Sequence, residues 1–413
     1  TGCRECGSAG EYQGVAMKPG WQSKMLGEIC DFEGGSQPPK SEFIYEEKPG
    51  YVRFLQIRDF ASDKNITYIP ESKKNRICNE DDILIGRYGA SVGKILTNKA
   101  GAYNVALMKT IPNLDLLNRS WFYHYLISNE FQTSLLNVAS RSAQDGFSKD
   151  DIYSFSVPIP PLPEQQRIVS ILDEAFDGIA TAKANAEKNL QNARALFESH
   201  LQTVFSQRGE GWVEKTLEEA CNKITDGTHH SPKIQFAVRA PGLFPYVTSK
   251  NIRNNFMDLS NISYIEHEFH KEVYARCKPS LGDVLLTKDG AGTGNVTLNT
   301  LDEPFSLLSS VCLMKTKPEL LKPAFLCYYL QSQVGLNSIV GQMTGAAIKR
   351  IVLKDIKKAP VPFPSLHKQE AIVETFDSLL SETQRLESIY QQKLSALDAL
   401  KKSLLDQAFK GEL

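Results

Sequence analysis

The sequence contains one long segment twice, and this duplication limits the possible folds more than any other feature. Trp21–Cys30 matches Trp212–Cys221 at an offset of 191 residues. The proline-rich stretch Val157–Leu162 matches Val361–Leu366 at an offset of 204. An offset that grows slowly is typical of a duplication with loop insertions, and it is far too long for a solenoid unit. The chain therefore holds two copies of one domain, each with a connector.

Both copies follow the same internal order. Two further matches lie between the ends of the repeat, Asp82–Gly93 with Asp283–Gly294 at an offset of 201 and Leu107–Thr110 with Leu313–Thr316 at an offset of 206. Short strands bounded by Gly, Pro and Asn are predicted first, and a short helix follows. These strands and helices are predicted at Ile83–Ile85, Val284–Thr287, Trp121–Ile127 and Phe325–Leu330. A proline cluster then closes each copy, because proline cannot continue a preceding element. The clusters are Pro158, Pro160, Pro161 and Pro163, and then Pro360, Pro362 and Pro364.

A long helix with an apolar stripe is predicted after each proline cluster. The stripe positions advance by alternating steps of three and four residues, as in the seam of a coiled coil. They are Ile168, Leu172, Ala175, Ile179, Ala182, Ala186, Leu190, Ala193, Phe197, Leu201 and Val204, and then Ile372, Phe376, Leu379, Thr383, Leu386, Tyr390, Leu394 and Leu397. Residues 164–206 would span roughly 65 Å as a helix. The two helices can bury their stripes by packing on each other, and the alternative is that each helix lies on its own domain.

The predicted fold class is therefore α+β, with two repeated globular domains separated by a long antiparallel two-helix coiled coil in a pseudo-two-fold arrangement. The predicted segments are a tail at 1–20, a globular domain at 21–161, a helix at 162–208, a globular domain at 209–364 and a helix at 365–413. The tail is either a remnant of expression or a disordered extension.

Composition indicates a soluble protein of the cytoplasm. Hydrophobic residues make up 41% of the chain, and no apolar run approaches the length that spans a bilayer. Six of the eight cysteines are scattered among apolar neighbours, which favours buried, reduced thiols. The formal net charge is −1, so a DNA-binding role would require the basic residues to gather on one face.

No catalytic motif is evident, which predicts a binding subunit rather than an enzyme. The glycine-rich stretch Asp289–Gly294 precedes a predicted strand, whereas a nucleotide-binding loop must open a helix. Gly89–Lys94 lacks the P-loop spacing. Cys3 and Cys6 have no second pair that would complete a zinc site. His267 with His270 is interpreted as part of a solvated surface run, and no metal site is predicted.

The glycine-rich loops carry side chains that can reach base edges and phosphates. Arg87 and Lys288 occupy equivalent places in the two repeats, and each is predicted to project from the tip of its domain. The alternative is that these are ordinary solvated turns. The predicted DNA-binding residues are Gln37, Arg87, Tyr88, Ser91, Lys94, Thr228, His229, Lys288, Asp289 and Thr293.

The whole pattern resembles the specificity subunits of type I restriction–modification enzymes. The resemblance rests on the two closing motifs at 157–169 and 361–373, on the opening Asp226–Pro232 of the second half, and on the ending Leu404–Leu413. It implies two target recognition domains that each read half of a split DNA site. It also implies helices that set the spacing and dock the modification subunits. The second closing motif departs from the first at Ser365–Gln369, which leaves the start of the second helix less well fixed.

The sequence and this resemblance together predict a DNA sequence-specificity subunit that binds double-stranded DNA and modification subunits, and reaches a restriction subunit through the complex. No cofactor is predicted in this chain, since the resemblance implies that S-adenosylmethionine binds to the modification subunit. The alternative is a non-catalytic protein–protein scaffold with two domains held by a coiled coil.

Overall fold

The computed structural model describes residues 18–141, 146–290, 292–340 and 351–413, and the chain folds as two units. Unit 1 comprises Thr1–Ala186 and Gln392–Leu413, and unit 2 comprises Glu187–Gln391. The first 17 residues, which include Cys3, Cys6 and most of the predicted tail, lie outside the described part. The predicted domain boundaries stay a prediction.

The first globular part alternates short strands with short helices, and a long helix follows it. Single 3-10 turns lie at Lys40–Glu42, Ile57–Phe60, Asp63–Asn65 and Gly89–Ser91. The elements are β1 (Gln22–Met25), α1 (Leu26–Ile29), β2 (Cys30–Gly34), β3 (Tyr51–Leu55), β4 (Tyr68–Pro70), β5 (Ile77–Cys78), β6 (Leu84–Gly86), β7 (Ile95–Leu96), β8 (Gly101–Tyr103), β9 (Leu107–Pro112), α2 (Arg119–Ile127), α3 (Asn129–Ala139), α4 (Lys149–Tyr153), β10 (Ser156–Ile159) and α5 (Leu162–Ser206).

The second globular part repeats the main features of this order, and one further 3-10 turn lies at Ser249–Asn251. Its elements are β11 (Val213–Thr216), α6 (Leu217–Ala220), β12 (Cys221–Asp226), β13 (Leu243–Val247), β14 (Ile252–Arg253), β15 (Phe256–Met257), β16 (Ser263–Glu266), α7 (His267–Cys277), β17 (Val284–Thr287), β18 (Val296–Leu298), β19 (Ser306–Leu307), β20 (Val311–Thr316), α8 (Pro323–Gln331), α9 (Gln333–Val340), α10 (Leu353–Lys358), β21 (Pro360–Phe363) and α11 (Leu366–Lys410). It differs from the first part because it adds the hairpin β14–β15 and has the helix α7 before the strand that corresponds to β6.

The sheets of the two units have matching topology. The order β2-β9-β6-β7 in unit 1 corresponds to β12-β20-β17-β18 in unit 2. A second sheet, β4-β3-β8-β5, corresponds to β16-β13-β19, and each contains one parallel pair, β3 with β8 and β13 with β19. The opening strand of each globular part pairs with its closing strand, β1 with β10 and β11 with β21. The prolines at 158, 360 and 362 lie within these two-stranded ladders, where a missing N–H is tolerated at an edge.

Strand register corrects one of the sequence matches. The amide of Gly35 donates to Leu107 O at 3.0 Å, and the amide of Gly227 donates to Val311 O at 3.2 Å. Leu107 is therefore equivalent to Val311 at an offset of 204, and not to Leu313 as the matching letters indicate. The error is two residues, which leaves the side chains on the same face of the strand and hides the mistake from pattern matching.

Every predicted stripe position of the long helices is buried or half-buried, so the helical seam is confirmed. In unit 1 the beginning of α5 and the end of α11 run antiparallel, with Lys183 Nζ 2.7 Å from Asp398 Oδ1. In unit 2 the end of α5 and the beginning of α11 also run antiparallel, and Arg194 Nε lies 2.7 Å from Glu387 Oε1.

The helix ends also complete the globular cores, so the two alternatives for the stripes are both partly realised. In unit 1, Phe409 near the end of α11 packs edge-on against Trp121 and Tyr125 of α2. In unit 2, Phe205 near the end of α5 packs in the same way against Phe325 and Tyr329 of α8. Each core therefore contains an aromatic side chain supplied by the far end of a long helix.

A buried glutamine fixes the start of each long helix. The Gln165 amide donates to Leu116 O at 2.8 Å and to Pro160 O at 2.9 Å, and its oxygen accepts from the Asn118 amide at 2.7 Å. Gln369 makes the same three bonds in unit 2, to the backbone of residues 320, 364 and 322, at 2.8, 2.9 and 2.9 Å. The divergent motif at Ser365–Gln369 therefore holds its helix as firmly as the first motif does.

Candidate nucleic-acid interface

The loop between β6 and β7 carries four of the predicted DNA-binding residues in unit 1. Arg87 follows β6 directly, and its amide donates to Ala106 O at 2.9 Å. Its Nε donates to Phe147 O at 3.1 Å, and its guanidinium carbon lies 5.0 Å from the centre of the Tyr88 ring. Arg87 and Tyr88 are half-buried, so both are held in place while part of each remains at the surface.

The other predicted residues of unit 1 lie on or next to this hairpin. Ser91 is half-buried in the turn, and Lys94 is exposed where β7 begins. Gln37 is exposed in the segment that follows Gly34, and a Cβ built on Gly34 would lie 3.2 Å from Arg87 Nη1. The structure therefore brings the start of the Gly34–Pro39 loop against Arg87.

The prediction that Lys288 projects from the tip of its domain is wrong. Only 3% of its side chain is exposed, and its Nζ lies 3.1 Å from Asp226 Oδ2. The Lys288 carbonyl also accepts a 2.8 Å hydrogen bond from the Ile351 amide. A long cationic side chain is buried at this place because a carboxylate at the end of β12, which is separated from β17 by β20, compensates its charge.

Asp226 is the centre of a charged cluster in unit 2. Arg276 donates to it from Nη2 at 2.6 Å, and His229 Nε2 lies 3.4 Å from its other oxygen. Burial alone would raise the pKa of Asp226, but the hydrogen bonds and positive charges of Arg276 and Lys288 outweigh it and hold the pKa below its usual value. The cluster therefore holds two basic side chains against one carboxylate.

Arg276 was not predicted, and the local sequence carries no signal for it because it lies 50 residues from Asp226 along the chain. Asp226 opens the motif Asp226–Pro232, but it is not among the predicted DNA-binding residues. Asp226 is the last residue of β12 and directly precedes a turn that begins with Gly227. That position was the signal in the sequence that could have identified it as a site residue.

The remaining predicted residues of unit 2 surround this cluster. Thr228 is buried, and its Oγ1 accepts from the His230 amide at 3.1 Å. His229 is exposed, whereas Asp289 and Thr293 are half-buried on the hairpin between β17 and β18. Thr293 Oγ1 donates to Gly290 O at 2.7 Å, which closes the hairpin turn. The predicted hairpin is confirmed by the antiparallel pairing of β17 with β18.

The interpretation of His267 and His270 as a solvated run is wrong for His270. That ring is buried, stacks on Phe244 at a centroid distance of 3.9 Å, and lies 3.0 Å from Ser306 Oγ. The pKa of His270 lies below its usual value, mainly because the ring is buried and secondly because His267 is close to it. Within the described residues, no group of three or more His, Cys, Asp or Glu side chains could hold a metal ion.

Two further sequence expectations concern cysteines and membrane spans. The six cysteines within the described part of the chain are buried and free, as predicted. Burial raises the pKa of Cys30 to about 12 and that of Cys78 to about 11. None of the helices in the described ranges has the length and apolar content needed to cross a lipid bilayer.

A family model described as the type I restriction modification DNA specificity domain matches the chain twice, over residues 18–191 and 209–395. Among curated proteins, the specificity subunit of the type I restriction enzyme EcoBI from Escherichia coli is 25% identical over 430 residues, and covers 97% of this chain and 87% of that protein. The MjaVIII specificity subunit from Methanocaldococcus jannaschii is 22% identical, with 98% and 95% covered.

Solved structures show the same fold. One similar chain comes from a structure that describes complex assembly and conformational transition of the type I R-M system. It is 18% identical, its TM-score is 0.78, and the match covers 96% of this chain and 100% of that chain. The HsdS subunit from Thermoanaerobacter tengcongensis is 19% identical, with a TM-score of 0.60 and coverage of 96% and 98%. Both likenesses extend over both globular parts and both long helices.

Proposed function

This chain belongs to the family of type I restriction modification DNA specificity domains, and from that premise we propose that it is the DNA sequence-specificity subunit of a type I restriction–modification enzyme. The observation that carries the proposal is the duplication. Each of the two family matches covers one globular part and much of the long helix that follows it, and the two globular parts have matching sheet topology. Two copies of one recognition fold suit a DNA site read in two halves.

The DNA-reading surface of this proposal consists of the loops that follow β2, β6, β12 and β17. Arg87, Tyr88, Ser91, Lys94 and Gln37 supply it in unit 1. Arginine and lysine suit guanine O6/N7 or phosphate, and asparagine or glutamine suits adenine. In unit 2 the exposed or half-buried residues are His229, Asp289 and Thr293. Thr228 supports the turn beneath them.

The chemistry in this proposal belongs to partner subunits. The modification subunits bind S-adenosylmethionine and methylate the site, a restriction subunit joins through the complex, and this chain supplies sequence choice in the cytoplasm. The relatives are named as specificity subunits, which supports a non-catalytic role within such a complex. The purified chain alone is expected to transfer no methyl group from radiolabelled S-adenosylmethionine to DNA, and methyl transfer without a partner would contradict this part.

The proposal is tested by selection from random duplex DNA. The chain assembled with its modification subunits is mixed with a randomised duplex library at physiological salt, and the bound fraction is sequenced. A split sequence with two defined parts and an undefined spacer is the expected result. Absence of any enriched sequence, across a series of salt concentrations, would favour the protein–protein scaffold instead.

A further inference from the structure

The two hairpin cations, Arg87 and Lys288, stand in equivalent places but face different partners. The Arg87 amide donates to Ala106 O and the Lys288 amide to Ser310 O, both at 2.9 Å and at the offset of 204 that aligns β9 with β20. The neighbouring strands β2 and β12 align through Gly35 and Gly227, so the residue before each of them is also equivalent. That residue is Gly34 in unit 1 and Asp226 in unit 2.

In unit 2 the carboxylate at this position removes the loop cation from solvent. Asp226 and Lys288 are both at least 95% buried as side chains and lie 3.1 Å apart. A lysine in such a pair cannot reach a phosphate or a base without leaving a buried carboxylate short of one partner, which is costly. Lys288 is therefore a structural residue of the hairpin.

In unit 1 the same position has no side chain. Arg87 is held through Nε by Phe147 O and stacks on Tyr88, and these contacts orient the guanidinium without neutralising it. Among the residues that the structure describes, no carboxylate lies within 4.0 Å of its nitrogens. Within the described part of the chain its charge therefore has no carboxylate partner, and it can meet an acceptor from outside the protein.

We propose that the residue at this strand end determines whether a unit presents its hairpin cation to DNA. Gly34 lets Arg87 contact an acceptor atom of the DNA, either guanine O6/N7 or a phosphate oxygen. Asp226 withholds Lys288, so unit 2 reads its half of the site through other loop residues. This inference rests on the proposed function. It assigns Gly34 as a specificity-determining position of unit 1, and Asp226 as the residue that keeps Lys288 structural in unit 2.

The test exchanges the charge at this position in the assembled complex. Gly34→Asp places a carboxylate against Arg87 Nη1, and Gly34→Asn is the matched control, because it adds the same bulk without the charge. Gly34 has no positive φ, so the backbone accepts either residue. Binding is measured on the selected site and on sites altered in each half.

We expect Gly34→Asp and Arg87→Ala to weaken binding about tenfold to hundredfold, while Gly34→Asn retains most of the affinity. A base contact shows as lost discrimination at one position of one half-site. A phosphate contact weakens all sequences alike and reduces the salt slope by about one. If Gly34→Asp and Arg87→Ala both bind as the parent does, the inference is wrong for unit 1.

Lys288 is tested by the neutral pair Asp226→Asn with Lys288→Met, since Lys288→Met alone leaves the carboxylate undercompensated and can unfold the unit. The double variant is expected to keep the parent's discrimination in both half-sites. Loss of reading in the second half by this variant, with its thermal unfolding unchanged, would overturn the inference for unit 2. A parent complex that selects no sequence overturns the proposed function, whereas a selective parent with unaffected variants overturns this inference alone.

Discussion

Replacing Gln165 by leucine tests how the first globular part is joined to its long helix. The Gln165 amide is fully buried and makes three hydrogen bonds, to the backbone of residues 116, 118 and 160. Leucine has nearly the same volume, so the substitution leaves little cavity and removes the hydrogen bonds selectively. It leaves two carbonyls and one N–H without hydrogen-bond partners in a region that water reaches poorly.

The magnitude follows from these three groups. A net loss of about 1 kcal/mol for each bond gives about 3 kcal/mol, and more if the stranded groups stay dry. For a unit of roughly 200 residues, 3 kcal/mol lowers the melting temperature by about 6–12 °C. Gln369→Leu is expected to have the same effect on unit 2, because it makes the equivalent bonds.

The matched control is the next residue along the same helix. Gln166 is exposed, and its side-chain oxygen accepts a hydrogen bond from Asn118 Nδ2 at the surface. Gln166→Leu is expected to change the melting temperature by no more than about 2 °C, as surface substitutions usually do. Differential scanning calorimetry of the three variants measures this directly. Equal melting temperatures for Gln165→Leu and Gln166→Leu would refute the anchoring role.

Two other predictions concern α2 and the end of α11. Burial, which outweighs the hydrogen bond from His124 to Asp173, holds the pKa of His124 below its usual 6.5. Below about pH 6.5 the unfolded chain therefore binds a proton that the folded chain does not. The free energy of unfolding decreases as the pH is lowered, by at most about 1.4 kcal/mol per pH unit. In unit 2 the equivalent residue is Tyr328, which donates to Asp377 Oδ1 at 2.5 Å. His124→Tyr should therefore flatten the pH dependence of stability in urea denaturation between pH 7 and 5, and an unchanged slope would contradict this assignment. Phe409→Ala should lower the free energy of unfolding by about 3–5 kcal/mol in the same assay. The control, Leu400→Ala at an exposed position, should lower it by no more than about 0.5 kcal/mol. A similar small loss for both variants would argue against a place for Phe409 in the core.

The sequence alone determined the features that depend on local patterns and on repetition. The stripes of both long helices and the hairpin at Asp289–Gly294 are visible because each rests on residues a few positions apart. The duplication is visible because contiguous stretches of one half recur in the other. The α+β class and the paired helices followed from these patterns. Family membership followed as well, since the closing motifs and the ending at 404–413 are contiguous stretches.

Tertiary structure decided the features that depend on what lies opposite. Lys288 and Arg87 look alike in sequence, but only the alignment of β12 with β20 shows that one faces Asp226 and the other faces Gly34. Arg276 joins the cluster from 50 residues away, and His270 is buried because Phe244 and Ser306 come from other elements. The strand period of two residues also concealed a register error of two. A one-dimensional pattern specifies which face a side chain takes, whereas the charge and the space that it meets there are set by residues distant along the chain.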